Sequence, residues 1–201
     1  MLFWAVNLGF EVHQMDVKTA FLLPRLKSDE TVYMEPLPGS KVGKDSVLKL
    51  KSSLYGLKQA ACYFYEDVKG TLLGFDFETA EIDCPCLFVH KTKGGEIDCL
   101  VLVHVDDFAI AARPELLAGR KAQLQTKYDM KDLGRLQHFL GMEGAWDDDG
   151  KGVRMSQMAP INELVESMGL SKCNVTNTPM EEKLQLQSAV PEDMTMEETA
   201  E

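Results

Sequence analysis

Asp106 and Asp107 stand directly after the run Leu100-Val101-Leu102-Val103-His104-Val105, and the apolar segment Phe108-Ala109-Ile110-Ala111 follows them. Two short runs rich in apolar and β-branched residues predict a β-hairpin with both carboxylates at its tip. Acids bordering buried strands need an explanation, because desolvating a carboxylate is costly unless it is paired or bound to metal. One reading is plain turn chemistry, since aspartate is common in turns. The other brings in a third acid, Asp16, near the end of the strand-like segment His13-Gln14-Met15-Asp16-Val17. Three carboxylates converging at strand ends can serve divalent cations, and Mg²⁺ prefers few carboxylates plus substrate phosphates. Two such ions about 4 Å apart can activate an attacking hydroxyl and stabilise a leaving oxygen in phosphoryl transfer.

The remaining chain supplies strands and helices around this hairpin. Residues 2–12 predict the end of a helix, and His13 to Phe21 a strand running into a turn. Short strands are expected near Val32-Tyr33-Met34, over 47–50 and over Cys86 to His90. Apolar residues at Leu57, Ala60, Ala61, Phe64, Tyr65, Val68, Leu72 and Leu73 mark one face of a helix, with Gly74 as its stop. Pro114 opens a second helix to about Tyr128, as proline often does at a first helical position. Leu136 to Glu143 and Val153 to Gln157 read as strands around the acidic turn Asp147-Asp148-Asp149-Gly150, and a last helix runs from Ala159 to about Met168. Strands interrupted by helices with a central hairpin predict an α+β fold with a mostly antiparallel sheet.

With 201 residues, 45% hydrophobic and 26% charged, the chain suits one ordinary globular domain. Neither a membrane helix nor a signal peptide is expected from its apolar runs. The five cysteines, at 62, 84, 86, 99 and 173, are odd in number and irregular in spacing, and are read as reduced thiols of an intracellular protein. The net charge of −11 works against phosphate binding. Seven acids against one base between Met180 and Glu201 place −6 on an acidic tail, expected to be disordered, and −5 on the rest.

Several strings shift the balance between the two readings of the acids. His13-Gln14-Met15-Asp16-Val17-Lys18-Thr19-Ala20-Phe21-Leu22 resembles the first catalytic motif of Ty1/copia-type retrotransposon reverse transcriptases. Val32-Tyr33-Met34-Glu35-Pro36 is similar to the segment after it, and Ser53-Leu54-Tyr55-Gly56-Leu57-Lys58-Gln59-Ala60 to the family's most recognisable string. His104-Val105-Asp106-Asp107 resembles the Tyr-Val-Asp-Asp box, with histidine where the family usually has an aromatic residue. Met130-Lys131-Asp132-Leu133-Gly134, Phe139-Leu140-Gly141-Met142-Glu143, Met155-Ser156-Gln157 and Thr178-Pro179 match later signposts, all in family order.

The resemblance implies the palm of a right-hand polymerase, with a small antiparallel sheet and helices packed on one face. Residues 1–179 would form a partial reverse transcriptase domain, with the fingers truncated before residue 1 and the thumb incomplete after Pro179. Residues 180–201 would be the tail. The implied activity is RNA-directed DNA polymerisation, and the alternatives are a catalytically inactive remnant or a domesticated interaction module. Asp16, Asp106 and Asp107 would hold two Mg²⁺ ions, or Mn²⁺, with the Val17 carbonyl as a further ligand. Amides near Thr19 and Ala20 would face the triphosphate, and Phe21 would be the steric gate against ribonucleotides. Tyr55 and Gly56 would line the nucleotide pocket, and His104, Phe139, Leu140 and Gly141 would contact the primer. The implied partners are an RNA or DNA template with primer, deoxynucleoside triphosphates and other Pol polyprotein domains. The implied location is cytoplasmic, in particles, or nuclear.

Overall fold

The computed structural model describes residues 1–43, 46–80 and 84–174. The expected tail of 180–201 lies outside the described residues. The chain divides into two compact units, Met1–Met158 and Ala159–Glu201.

The first unit opens with α1 (Leu2–Asn7) and β1 (Glu11–Val17). The helix ends well before residue 12, because Gly9 takes a left-handed conformation (φ 67°) that turns the chain into the strand. A short 3₁₀ helix (Ala20–Leu22) follows, then β2 (Tyr33–Met34) and β3 (Leu48–Lys49), which pair with each other. Next come α2 (Ala60–Gly74), β4 (Phe77–Ala80) and β5 (Cys84–Lys91). α2 ends at Gly74 as expected, and the left-handed turn that follows is taken by Asp76 (φ 63°), not by the glycine. The hairpin strands are β6 (Ile97–His104) and β7 (Asp107–Ala112). After α3 (Pro114–Gln125) come β8 (Met130–Arg135), β9 (His138–Phe139), β10 (Met142–Trp146) and β11 (Val153–Ser156). The second unit contains most of α4 (Met158–Ser167), a helix with no buried residue.

Six strands form one antiparallel sheet in the order β4-β5-β6-β7-β1-β8. Two of them, β4 and β8, were not expected from sequence. Both are edge strands, and edges tolerate charge and glycine, so Phe77-Glu78-Thr79-Ala80 and Met130-Lys131-Asp132-Leu133-Gly134-Arg135 show no apolar alternation. A second sheet of three strands is ordered β11-β10-β9. The strand expected over 136–143 is broken at Leu140-Gly141, where both residues have positive φ.

Alternation along the strands gives the large sheet two apolar faces. On one, Met15, Val17, Val101, Val103, Phe108 and Ile110 pack with Phe64, Val68 and Leu72 of α2 and Leu117 and Leu124 of α3. On the other, Val12, Leu100, Ala109 and Ala111 pack with Ala5 of α1, Phe10, Leu136 and Phe139. The expectation of helices on one face therefore holds for α2 and α3 and fails for α1. The reason is that β1 presents Val12 to the opposite side, and α1 covers it. All five cysteines are free thiols.

Candidate active site

The β6–β7 ladder runs in register from Cys99↔Ala112 to His104↔Asp107, leaving only Val105 and Asp106 as the loop. Asp107 is thus already a ladder residue, and the tip proper is Val105-Asp106. Such short hairpin loops favour positive φ, and Val105 takes it (φ 57°), a strained choice for a β-branched residue.

Neighbouring β1 brings the third acid. Asp16 stands directly opposite Asp107, and the Val17 amide donates to the Asp106 carbonyl at 2.9 Å. Met15, Val17 and Phe108 point into the α2/α3 core, so the alternation turns Asp16 and Asp107 to the opposite face. Gln14, two residues before Asp16 on that face, donates through Nε2 to Asp107 Oδ1 at 3.3 Å. Sequence reasoning missed Gln14, which carries no signal apart from its i−2 spacing to Asp16.

Burial first, then the Asp106 and Asp107 charges, push the Asp16 carboxyl above the usual carboxylate range, and Lys131 pulls the other way. Among the described residues, no group of three or more His, Cys, Asp or Glu side chains forms a ready metal cage. The donor set still fits Mg²⁺, which is held by one or two carboxylates plus water and substrate phosphates rather than a closed protein cage. A cation held by these carboxylates would offset both the burial and the neighbouring charges that raise Asp16.

The loop after β1 sets out the other expected residues. Val17 is buried, Thr19 is left-handed (φ 55°), and Leu22 N–H donates to the Thr19 carbonyl at 2.9 Å, which opens the 3₁₀ helix. Ala20 is buried beneath it. The Phe21 ring meets the exposed Tyr55 ring edge-on, with centroids 5.1 Å apart. Tyr55-Gly56 forms a turn closed by Leu57 N–H to the Leu54 carbonyl at 3.2 Å, and Gly56 supplies the positive φ (93°) that this turn needs.

His104 is exposed opposite Asp107. Leu140-Gly141 links β9 to β10 as a two-residue turn with φ 54° and 72°, the signature of a type I′ hairpin. Leu140 is exposed at the turn, whereas Phe139 is buried in the second core. Leu102 of β6, two residues before His104, lines one apolar cavity together with Phe139 and Leu140.

Comparison with known proteins agrees with the family resemblance. A family model described as reverse transcriptase (RNA-dependent DNA polymerase) matches residues 1–182. A Retrovirus-related Pol polyprotein from transposon TNT 1-94 of Nicotiana tabacum is 34% identical over 90% of this chain and 14% of its own length. A putative transposon Ty5-1 protein of Saccharomyces cerevisiae is 32% identical over 83% of this chain and 53% of its own length. The Transposon Ty1-BR Gag-Pol polyprotein of the same yeast is 29% identical over 90% of this chain and 10% of its length. The chain thus spans a small part of the Pol polyproteins it matches and about half of the Ty5-1 protein. From the matched family model and these relatives, the chain belongs to the reverse transcriptase family of Ty1/copia-type retrotransposon Pol polyproteins.

Proposed function

We propose that this chain carries the catalytic face of an RNA-directed DNA polymerase, built as the palm of a right-hand polymerase. The observation that carries the reading is the pairing of Asp16 with Asp107 across adjacent strands, with Asp106 in the adjoining turn. Asp16, Asp106 and Asp107, with the Val17 carbonyl, would hold two Mg²⁺ ions. Bound there, the ions would lower the barrier by polarising the primer 3′-hydroxyl and neutralising charge on the leaving oxygen.

The chain's own groups do the positioning. Gln14 fixes the Asp107 carboxylate through its 3.3 Å hydrogen bond. The left-handed Thr19 directs the amides that open the 3₁₀ helix, near Thr19 and Ala20, toward the triphosphate. Phe21, braced by Tyr55, meets the sugar edge of the incoming nucleotide, and Tyr55-Gly56 forms the wall beside the base. His104 and the Leu140-Gly141 turn steady the primer end. Phe139 supports that turn from the core.

Primer extension on a poly-rA template with dTTP and Mg²⁺ tests this reading. The expected result is incorporation that disappears in the Asp106→Asn/Asp107→Asn variant. Phe21→Val is expected to keep dTTP incorporation and to raise UTP incorporation at least about tenfold, one lost steric barrier being of that order. Incorporation that survives loss of both aspartates would refute the assignment.

A further inference from the structure

Two of the five free thiols share one strand face. On β5, Phe88 packs in the α2/α3 core and His90 meets Arg120 of α3 at 2.8 Å, so the even-numbered positions face the helices. Cys84 and Cys86 continue that row, both half-buried, and Pro85 between them is exposed. Leu87 and Val89 go to the opposite core. Tyr65 of α2 is the neighbour of the pair. Its hydroxyl donates to the Pro85 carbonyl at 2.8 Å, and burial, then the Cys86 and Cys84 charges, push its phenol up.

The strand is irregular at this point. β4 and β5 pair at Thr79↔Phe88 and next at Ala80↔Cys84, skipping Pro85, Cys86 and Leu87. Proline has no N–H for a ladder, and within sheets it sits at edges or bulges, where side chains are re-aimed. Two steps along a strand put the Cα atoms about 6.6 Å apart, near the far limit that a disulfide spans. An ion held between the sulfurs needs no such close approach. Cys99, by contrast, is sealed in the core, Cys62 lies exposed on α2 and Cys173 exposed in the second unit.

We propose that Cys84 and Cys86 form a two-thiolate site for a soft monovalent cation of the Cu(I) class. Soft sulfur ligands select Cu(I), whereas Mg²⁺ prefers carboxylate and phosphate oxygens. Among the described residues, no third His, Cys, Asp or Glu side chain joins the pair to make a larger metal cage. A structural zinc takes four ligands, so the pair alone is not a zinc site, while Cu(I) is stable with two. Binding turns both thiols into thiolates, forms two S–Cu bonds and releases two protons to solvent. Copper stays monovalent, so no oxidant or reductant takes part. Tyr65 positions the segment through its hydrogen bond to Pro85. The site lies on the helix side of the sheet, opposite the face of Asp16 and Asp107, and does not depend on the polymerase reading.

The test is anaerobic titration of the reduced 201-residue chain with Cu(I), with bicinchoninate as the competing chromogenic chelator. The expected result is one equivalent withheld from the chelator, with thiolate-to-copper charge-transfer absorption in the ultraviolet. Cys84→Ser and Cys86→Ser are each expected to weaken retention at least about tenfold, since even an outer partner of a metal ligand is worth that much. The Cys62→Ser/Cys173→Ser variant should retain copper as the parent does, and excess Mg²⁺ should not displace it. Circular dichroism checks that each variant is folded. Retention unchanged in the Cys84→Ser/Cys86→Ser variant would overturn the proposal, and so would loss through Cys86→Ser with none through Cys84→Ser. A Cys84–Cys86 disulfide formed in air by a chain that retains no Cu(I) would overturn it in favour of a redox pair.

Discussion

Asp16 carries an electrostatic cost in the ligand-free chain, because burial and two neighbouring carboxylates disfavour its ionised form. Its folded pKa is raised, so the folded state holds the proton more tightly than the unfolded state. Stability therefore falls as pH rises from the ordinary carboxylate pKa through the raised folded value, and the loss stays constant above it. Asp16→Asn is expected to raise the melting temperature at neutral pH by about 1–3 °C, a figure kept small because the site is partly solvated. The gain should vanish below about pH 4, where the unfolded carboxyl is itself protonated. A melting temperature unchanged or lowered at pH 7 would show that the acids do not repel one another as described. The three aspartates were legible in the sequence because charge beside apolar runs is conspicuous. Gln14 and Lys131 were not, since their neighbourhood with the acids exists only through strand register.

The β9–β10 hairpin shows how one motif splits into two duties. Phe139 and Leu140 are adjacent in sequence, yet one is 6% exposed and the other 42%. Phe139→Ala is expected to cost about 3–5 kcal/mol in chemical denaturation, the usual range for a buried phenylalanine. Leu140→Ala should change stability by less than about 0.5 kcal/mol, as exposed positions do, while weakening primer binding. Equal destabilisation by the two substitutions would contradict this division. The expected strand over 136–143 failed because a two-residue turn costs the sequence only one glycine, too faint a signal against flanking apolar residues. Helices α2 and α3 were legible from periodicity and from Pro114, though their ends shifted by a few residues. The edge strands β4 and β8 were not, because their pairing is decided by a partner strand rather than by their own pattern.

At the scale of the molecule, the order β4-β5-β6-β7-β1-β8 inserts the first strand between the seventh and the eighth. This insertion brings Asp16 to Asp107, 91 positions away along the chain, and Lys131 to Asp16. An α+β class with an antiparallel sheet could be read from element order, but the insertion could not, because it depends on contacts between distant segments. No helix among the described residues is long and apolar enough to cross a membrane. The most direct test of the central claim is a Mn²⁺ titration followed by loss of the free-ion electron paramagnetic resonance signal. The chain should bind Mn²⁺, the Asp16→Asn/Asp107→Asn variant at least about tenfold more weakly, and an Asp148→Asn control as the parent does. Equal binding by the parent and the double variant would contradict a metal site at the Asp16–Asp107 pair.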